Sequence, residues 1–115
     1  MNVEGMKKAI LKVIIDRPDA SFVDLKECIP EFSGERVLGS VHENLLLWVG
    51  VSEVAVSALA ELDREAKIQY RIADPLTYVI DGATLSVPRA KHAKAYKKPH
   101  WLPLTLHPGP NQPNR

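Results

Sequence analysis

The sequence predicts one mixed α+β domain, in which three or more helices are followed by a β-hairpin and a basic C-terminal extension. Apolar residues recur at helical spacing in three segments before residue 66, and from residue 67 polar and apolar residues alternate as in a strand. A chain of 115 residues has the size of one domain and buries enough surface to fold without disulfides. We therefore expect the lone Cys28 to be a small, buried apolar residue.

Two helices are expected before residue 30. The first spans residues 3–15, because five apolar side chains form one stripe, namely Val3, Met6, Ile10, Val13 and Ile14. Pro18 ends this segment, since it favours extended geometry at the residue before it. Ser21 and Asp24 have the spacing of a capping box, which predicts a second helix that stops at Pro30.

The stretch from Glu31 to Gly50 carries weaker signals. Ser33-Gly34 and Gly39-Ser40 indicate loops, and the apolar run at residues 44–49 favours a short extended segment. Ser52 is a good N-cap, and the apolar spacing after it predicts a helix over about residues 52–65.

Strands are expected after this helix. Residues 67–72 alternate between polar and apolar, and residues 76–80 are rich in side chains that favour strands. Asp81-Gly82 is a strong hairpin signal, and residues 84–87 would add a short third strand.

Charge divides the chain at residue 88. Residues 1–88 hold nine Lys and Arg against all fourteen Asp and Glu, a net charge of −5, whereas residues 89–115 hold six cations and no acid. This asymmetry predicts a folded domain over residues 1–88 and a basic, Pro-containing extension over residues 89–115 that is partly disordered.

The segment that begins at Ser52 resembles a winged helix-turn-helix domain. The residues that carry the resemblance are Ser52-Glu53, Ser57 to Leu62, Lys67-Ile68 and Tyr78 to Ile80. It extends over about residues 3–87. The resemblance implies a fold in which the helix before the wing is the DNA-recognition helix.

Two departures bear on what this resemblance implies. Residues 30–51 separate the second and third helices, where the family has a turn of about three or four residues. The predicted helix 52–65 carries four acids against Arg64 alone, and a net charge of −3 repels phosphates. The recognition role of this helix therefore does not carry over, and the wing and the extension are the expected contacts.

Nothing in the sequence has the spacing of an active site. The four histidines lack the spacing of metal ligands, and we expect them to be solvated, as we do the carboxylate pair Glu61 and Glu65. No Gly-x-Ser-x-Gly segment and no glycine-rich phosphate loop occurs. We therefore expect a protein that is not an enzyme and that has no metal, cofactor or small-molecule substrate.

The preferred hypothesis is a small regulatory or accessory module that binds nucleic acid. Cations of the extension and of the predicted wing would neutralise phosphates, and aromatic residues between them would stack on bases. The residues assigned to this role are Lys67, Arg71, Arg89, Lys91, Lys94, Lys97 and Lys98.

Other hypotheses stay open. A protein–protein adaptor or homodimer would use the acidic helix together with an apolar anchor made of Tyr96, Trp101, Leu102 and Leu104. The extension would otherwise dock on the acidic body of its own chain, or only keep the protein in solution. A phage or mobile-element origin is compatible with such a chain.

No apolar run reaches the roughly 20 residues that a membrane span needs, and the N-terminus lacks the pattern of a signal peptide. We therefore expect a cytoplasmic protein with no membrane partner.

Overall fold

The computed structural model describes residues 1–74, 76–78, 85 and 87–111 of the chain. This part contains three α-helices, one 3-10 turn, five strands and a helical stretch at residues 76–78. The helices are α1 (Val3–Asp16), α2 (Phe22–Cys28) and α3 (Glu53–Arg64), and a 3-10 turn (Pro30–Phe32) follows α2. The strands are β1 (Ser33–Gly39), β2 (Leu45–Val51), β3 (Ile68–Ile72), β4 (His100–Trp101) and β5 (Leu104–Pro108). The predicted α+β class is confirmed. None of the helices in these ranges is long and apolar enough to cross a membrane.

The helices begin and end where local signals place them. The Ser21 side chain accepts a hydrogen bond from the Asp24 N–H, and the Asp24 carboxylate accepts one from the Ser21 N–H, so the capping box of α2 is confirmed. Ser52 caps α3 by accepting from the N–H of Ala55. The first helix ends before Pro18, as predicted.

A buried lysine joins α1 to α3. Lys7 Nζ lies 3.3 Å from Glu61 Oε1 and 3.0 Å from Glu65 Oε1, and it also reaches Glu4. The hydrogen bond with Glu65 is the main cause that raises the pKa of Lys7, and the same bond lowers the pKa of Glu65. The prediction that Glu61 and Glu65 form a solvated face is therefore wrong, because both carboxylates face the lysine of a neighbouring helix.

Two small sheets share the chain segment 100–108. In the first sheet, β2 lies between β1, its antiparallel partner, and β4, its parallel partner. In the second sheet, β3 pairs with β5 in a regular antiparallel register from Ile68↔Pro108 to Ile72↔Leu104. Backbone hydrogen bonds continue from one sheet to the other, since Leu102 N–H donates to β2 and Pro103 C=O accepts from the residue after β3. The strand order is therefore β1, β2, the segment 100–108 and β3, with β1 and β3 at the two ends.

Residues 100–108 lie in the core, not in an extension. Trp101 is 4% exposed, and Leu102, Leu104 and Leu106 are buried with it. The composition predicts a boundary at residue 88 because six cations follow it. Five of these cations lie in residues 89–98, and the apolar residues 100–108 that come after them pair with β2 and β3. The remaining cation, Arg115, and the rest of residues 112–115 lie outside the described residues.

Aromatic side chains form the centre of this core. The ring of Trp101 lies 5.8 Å from that of Trp48 and edge-on to Tyr78 at 5.1 Å. The buried Tyr78 hydroxyl donates to the C=O of Leu104 at 2.6 Å and accepts from the N–H of Phe22 at 3.3 Å. Tyr78 thus ties the start of α2 to β5.

Several local predictions differ from the structure. Ser33-Gly34 belongs to β1 and not to a loop, because Gly34 lies against the Ser52 backbone, where a Cβ would come within 2.4 Å of Ser52 Cα. Cys28 is exposed, since it is the last residue of α2 and faces away from the core.

The predicted hairpin partner of β3 is also different. Residues 76–78 are helical instead of extended, and β5 takes the place beside β3 that they were expected to fill. The turn predicted at Asp81-Gly82, and residues 79, 80, 84 and 86 of the predicted strands, lie outside the described residues. The short extended segment before Gly50 and the strand after residue 67 are confirmed as β2 and β3.

Candidate functional site

An apolar cleft of about 630 Å³ lies between the two ends of the strand order. Its walls are the end of β1 with the following turn on one side, and β3 on the other, while α3 closes one end. The side chains of its floor come from β2, α3 and the segment 100–108: Leu45, Leu47, Leu59, Leu102 and Leu104. The volume lies within the range of about 300–1,000 Å³ that is typical of ligand pockets.

The rim of this cleft exposes apolar side chains to solvent. Val41, in the turn after β1, is 98% exposed, and Ile72, at the end of β3, is 61% exposed. The polar lining residues are Ser40, His42, Asp63 of α3 and the half-buried Tyr70. Burial raises the pKa of Tyr70. Exposed apolar residues around a concave apolar surface are typical of a site that another molecule covers.

Two smaller cavities adjoin the cleft at Ile72. One, of about 420 Å³, is lined by Arg89 and Lys91 together with Asp74. The other, of about 270 Å³, is lined by Arg71 together with Asp19 and again Asp74. The structure therefore brings Arg71 of β3 close to Arg89 and Lys91, three of the residues assigned to nucleic-acid binding.

Lys67 does not belong to this group. It lies before the opposite end of β3, with Nζ 3.7 Å from Glu65 Oε1.

Residues 89–98, the basic loop, are fixed to the body at several points. Ala90 N–H donates to the Trp101 C=O at 2.7 Å, and Tyr96 N–H donates to the Glu43 C=O at 3.0 Å. The Asn44 side chain donates to the C=O of Tyr96 at 3.0 Å. Asn44 has a φ of 58°, a left-handed conformation that asparagine tolerates, in the turn between β1 and β2. The loop is thereby held beside the β1–β2 turn.

The cations of the basic loop are exposed, and no carboxylate of the described residues pairs with them. Within the described ranges, the ion pairs involve Lys7, Arg17, Arg36, Lys67 and His107, and no cation of the loop. Tyr96 stacks on His100 at 4.0 Å between ring centroids, and Lys94 Nζ lies 5.3 Å from the Tyr96 ring centroid. Positive charge is thus concentrated on a fixed, solvated surface beside an aromatic pair.

The predicted apolar anchor is not available on the surface. Trp101, Leu102 and Leu104 are buried in the core, and only Tyr96 of the four assigned residues is partly exposed. The segment docks on its own chain, one of the open alternatives, but it does so through apolar burial instead of charge pairing. Glu61 of α3 and Glu65, the residue after it, also face Lys7, so this part of the chain offers a partner less negative charge than its sequence suggests.

His107 differs from the prediction that all histidines are solvated. It is buried in β5, and its Nε2 lies 2.8 Å from Thr105 Oγ1 and 3.6 Å from Asp19 Oδ1. Burial lowers the pKa of His107, Arg71 lowers it further, and Asp19 raises it. Because hydroxyl and carboxylate share one ring nitrogen, the imidazole cannot pass a proton from one to the other as in a catalytic triad. In the described part of the chain, no three His, Cys, Asp or Glu side chains are grouped as metal ligands would be.

The cleft was not predicted from the sequence, although Leu45, Leu47 and Leu59 of its floor lie in predicted apolar helix and strand segments. A signal was present at Ile72, which shares a face of β3 with the buried Ile68 but lies at the strand's end. Val41 stands alone between Ser40 and His42, with no periodic pattern to mark it. No family model, no curated protein and no solved structure matches this chain.

Proposed function

We propose that this protein is a small non-enzymatic accessory module that binds nucleic acid through its basic loop, with Arg71 beside it. The observation that carries the proposal is the set of five exposed loop cations that no carboxylate of the described chain neutralises: Arg89, Lys91, Lys94, Lys97 and Lys98. Such cations release condensed counterions when they contact phosphates, and this release is the main source of nucleic-acid affinity.

The anchoring of the loop supports this proposal. A flexible basic tail loses conformational entropy when it binds, whereas this loop already has a fixed backbone through its hydrogen bonds to residues 43, 44 and 101. Tyr96 and His100 add a stacked aromatic pair beside the cations, as in surfaces that bind unpaired bases.

We also propose that the protein is related to winged-helix domains and is located in the cytoplasm. The order of three α-helices, with α3 leading into β3, supports the relationship. The β1–β2 hairpin before α3, and the pairing of β3 with β5, depart from the order that the family would have. Contact through the loop does not depend on either point.

A salt titration tests the proposal. Fluorescence anisotropy with labelled single-stranded and duplex DNA and RNA, between about 50 and 200 mM salt, should give log K against log [salt] slopes of about −3 to −5 if all five cations contact phosphates. The double variant Lys97→Gln/Lys98→Gln should make the slope about 2 units shallower, since each lost phosphate contact removes about one unit. Deletion of residues 89–115 is unsuitable, because it removes β4 and β5.

The matched control is Lys8→Gln/Lys12→Gln. Both lysines are exposed on α1 and the net charge changes equally, so nonspecific attraction falls to the same extent. Absence of binding at low salt, or equal weakening by both double variants, would contradict the proposal.

A further inference from the structure

We propose that the apolar cleft is a docking site for an extended segment of a partner protein, with alternating apolar and acidic residues, that adds as a strand to the free edge of β3. This inference goes beyond nucleic-acid binding, since it rests on the cleft and on β3 instead of on Lys97 and Lys98. A partner bound in the cleft would link the nucleic acid on the basic loop to a second protein.

The first step of the argument is the free edge of β3. All five residues of β3 pair with β5, and in the described part of the chain no backbone hydrogen bond is made from its other edge. A strand edge with unpaired N–H and C=O groups is a ready partner for another extended chain.

The second step distinguishes β3 from β1, the strand at the opposite side of the cleft. The pairing of β1 with β2 shifts register at three places between Ser33 and Gly39, and such bulges protect an edge from further pairing. The register of β3 is regular along its whole length. An incoming strand is therefore expected on β3.

The third step concerns side chains. Tyr70 and Ile72 lie on the same face of β3 and both line the cleft. A strand added beside them places every second side chain over the leucine floor, which accounts for the apolar half of the proposed pattern. The exposed Ile72 and Val41 on the rim would be covered by these side chains.

Charge accounts for the acidic half. Arg71, Arg89 and Lys91 line the cavities at the Ile72 end of the cleft together with Asp19 and Asp74, and Asp63 lines the cleft itself. The excess of positive charge comes from the basic loop, which supplies Arg89 and Lys91 and reaches the rim at Ala93. The neighbouring Lys94 is exposed and pairs with no carboxylate of the described residues. Carboxylates on the alternate, outward-facing positions of the segment would meet this positive surface.

The same charges argue against a second copy of this chain as the occupant. As an incoming strand, β3 alternates its apolar residues with Gln69 and Arg71 instead of carboxylates, so a second copy lacks the acidic half of the proposed pattern. An unpaired base is also disfavoured, because the floor is aliphatic and Asp63 lies among the lining residues.

The test uses the full chain and a fluorescein-labelled peptide of alternating valine and glutamate. Saturable binding with a Kd on the order of 10–100 μM is expected, together with amide shifts in β3 measured by NMR. Ile72→Asp should weaken binding at least about tenfold. The control Val37→Asp places the same charge on a 53% exposed strand residue outside the cleft, and should change Kd by less than about twofold.

Two further arms separate the parts of the proposal. A peptide with N-methylated alternate amides should bind at least about tenfold more weakly, because it cannot complete the strand ladder, and a glutamine-for-glutamate peptide should lose salt-sensitive affinity. Ile72→Ser, with thermal unfolding measured in parallel, replaces Ile72→Asp if that variant unfolds.

Several results would overturn the proposal. They are no saturable binding, equal effects of Ile72→Asp and Val37→Asp, or undiminished binding of the N-methylated peptide. A concentration-dependent dimer that Ile72→Asp abolishes would also overturn it, in favour of a second copy of the chain. Ile72→Ser should leave the salt slope of nucleic-acid binding unchanged, because it alters no cation, so failure here is distinguishable from failure of the nucleic-acid proposal.

Discussion

Trp101→Ala should remove a large part of the protein's free energy of unfolding, because this residue joins the segment 100–108 to the core. Its ring is 4% exposed and packs on Trp48 and Tyr78. Replacing a buried aromatic residue with alanine costs about 3–5 kcal/mol. A domain of this size has a total stability of about 5–15 kcal/mol, so Trp101→Ala should leave the protein marginal.

The conservative variant Trp101→Phe should cost only about 1–2 kcal/mol, because a smaller cavity is left and no hydrogen bond is lost. The buried Nε1 of Trp101 has no hydrogen-bond partner among the described residues. Equilibrium urea unfolding followed by circular dichroism measures both variants. With an m-value of about 1–3 kcal/mol/M, the alanine variant lowers the midpoint by about 1–5 M.

The control for this experiment is Leu76→Ala, an exposed apolar residue, which should change stability by less than about 0.5 kcal/mol. A cost below about 1 kcal/mol for Trp101→Ala would refute the burial of the segment. Equal costs for Trp101→Phe and Trp101→Ala would instead refute the statement that the indole N–H has no partner.

Three other variants follow from single contacts. Tyr78→Phe should destabilise by about 1–3 kcal/mol in urea unfolding, because two buried backbone groups lose their partner, whereas Tyr96→Phe on the exposed loop should have little effect. Burial lowers the pKa of His107 below 6.5, so at a pH below about 6.5 the unfolded chain binds more protons than the folded chain. Acidification through this range should therefore lower the melting temperature, and the decrease should be smaller in His107→Gln. Ala66 has a φ of 58°, so Ala66→Gly should stabilise by up to about 1 kcal/mol, whereas Ala60→Gly within α3 should destabilise by about 1 kcal/mol; the same sign for both would contradict the assigned backbone conformation.

One part of the candidate site could be predicted from the sequence, and the other part depends on contacts between distant residues. The basic residues were predicted from composition, and the structure keeps most of them exposed on one loop. The cleft could not be predicted, because its walls come from β1 and β3, which are about thirty residues apart in sequence and meet only through the fold.

The sequence by itself determined the three α-helices, the strands β2 and β3, and the separation of charge. These features depend on caps, on side-chain periodicity and on composition, all of which act over a few residues. Only the tertiary structure decided the place of residues 100–108, the partner of β3 and the pairing of Lys7 with Glu61 and Glu65. Each of these depends on a contact between residues more than thirty positions apart, and its free energy comes from burying one segment against another, which no local pattern records.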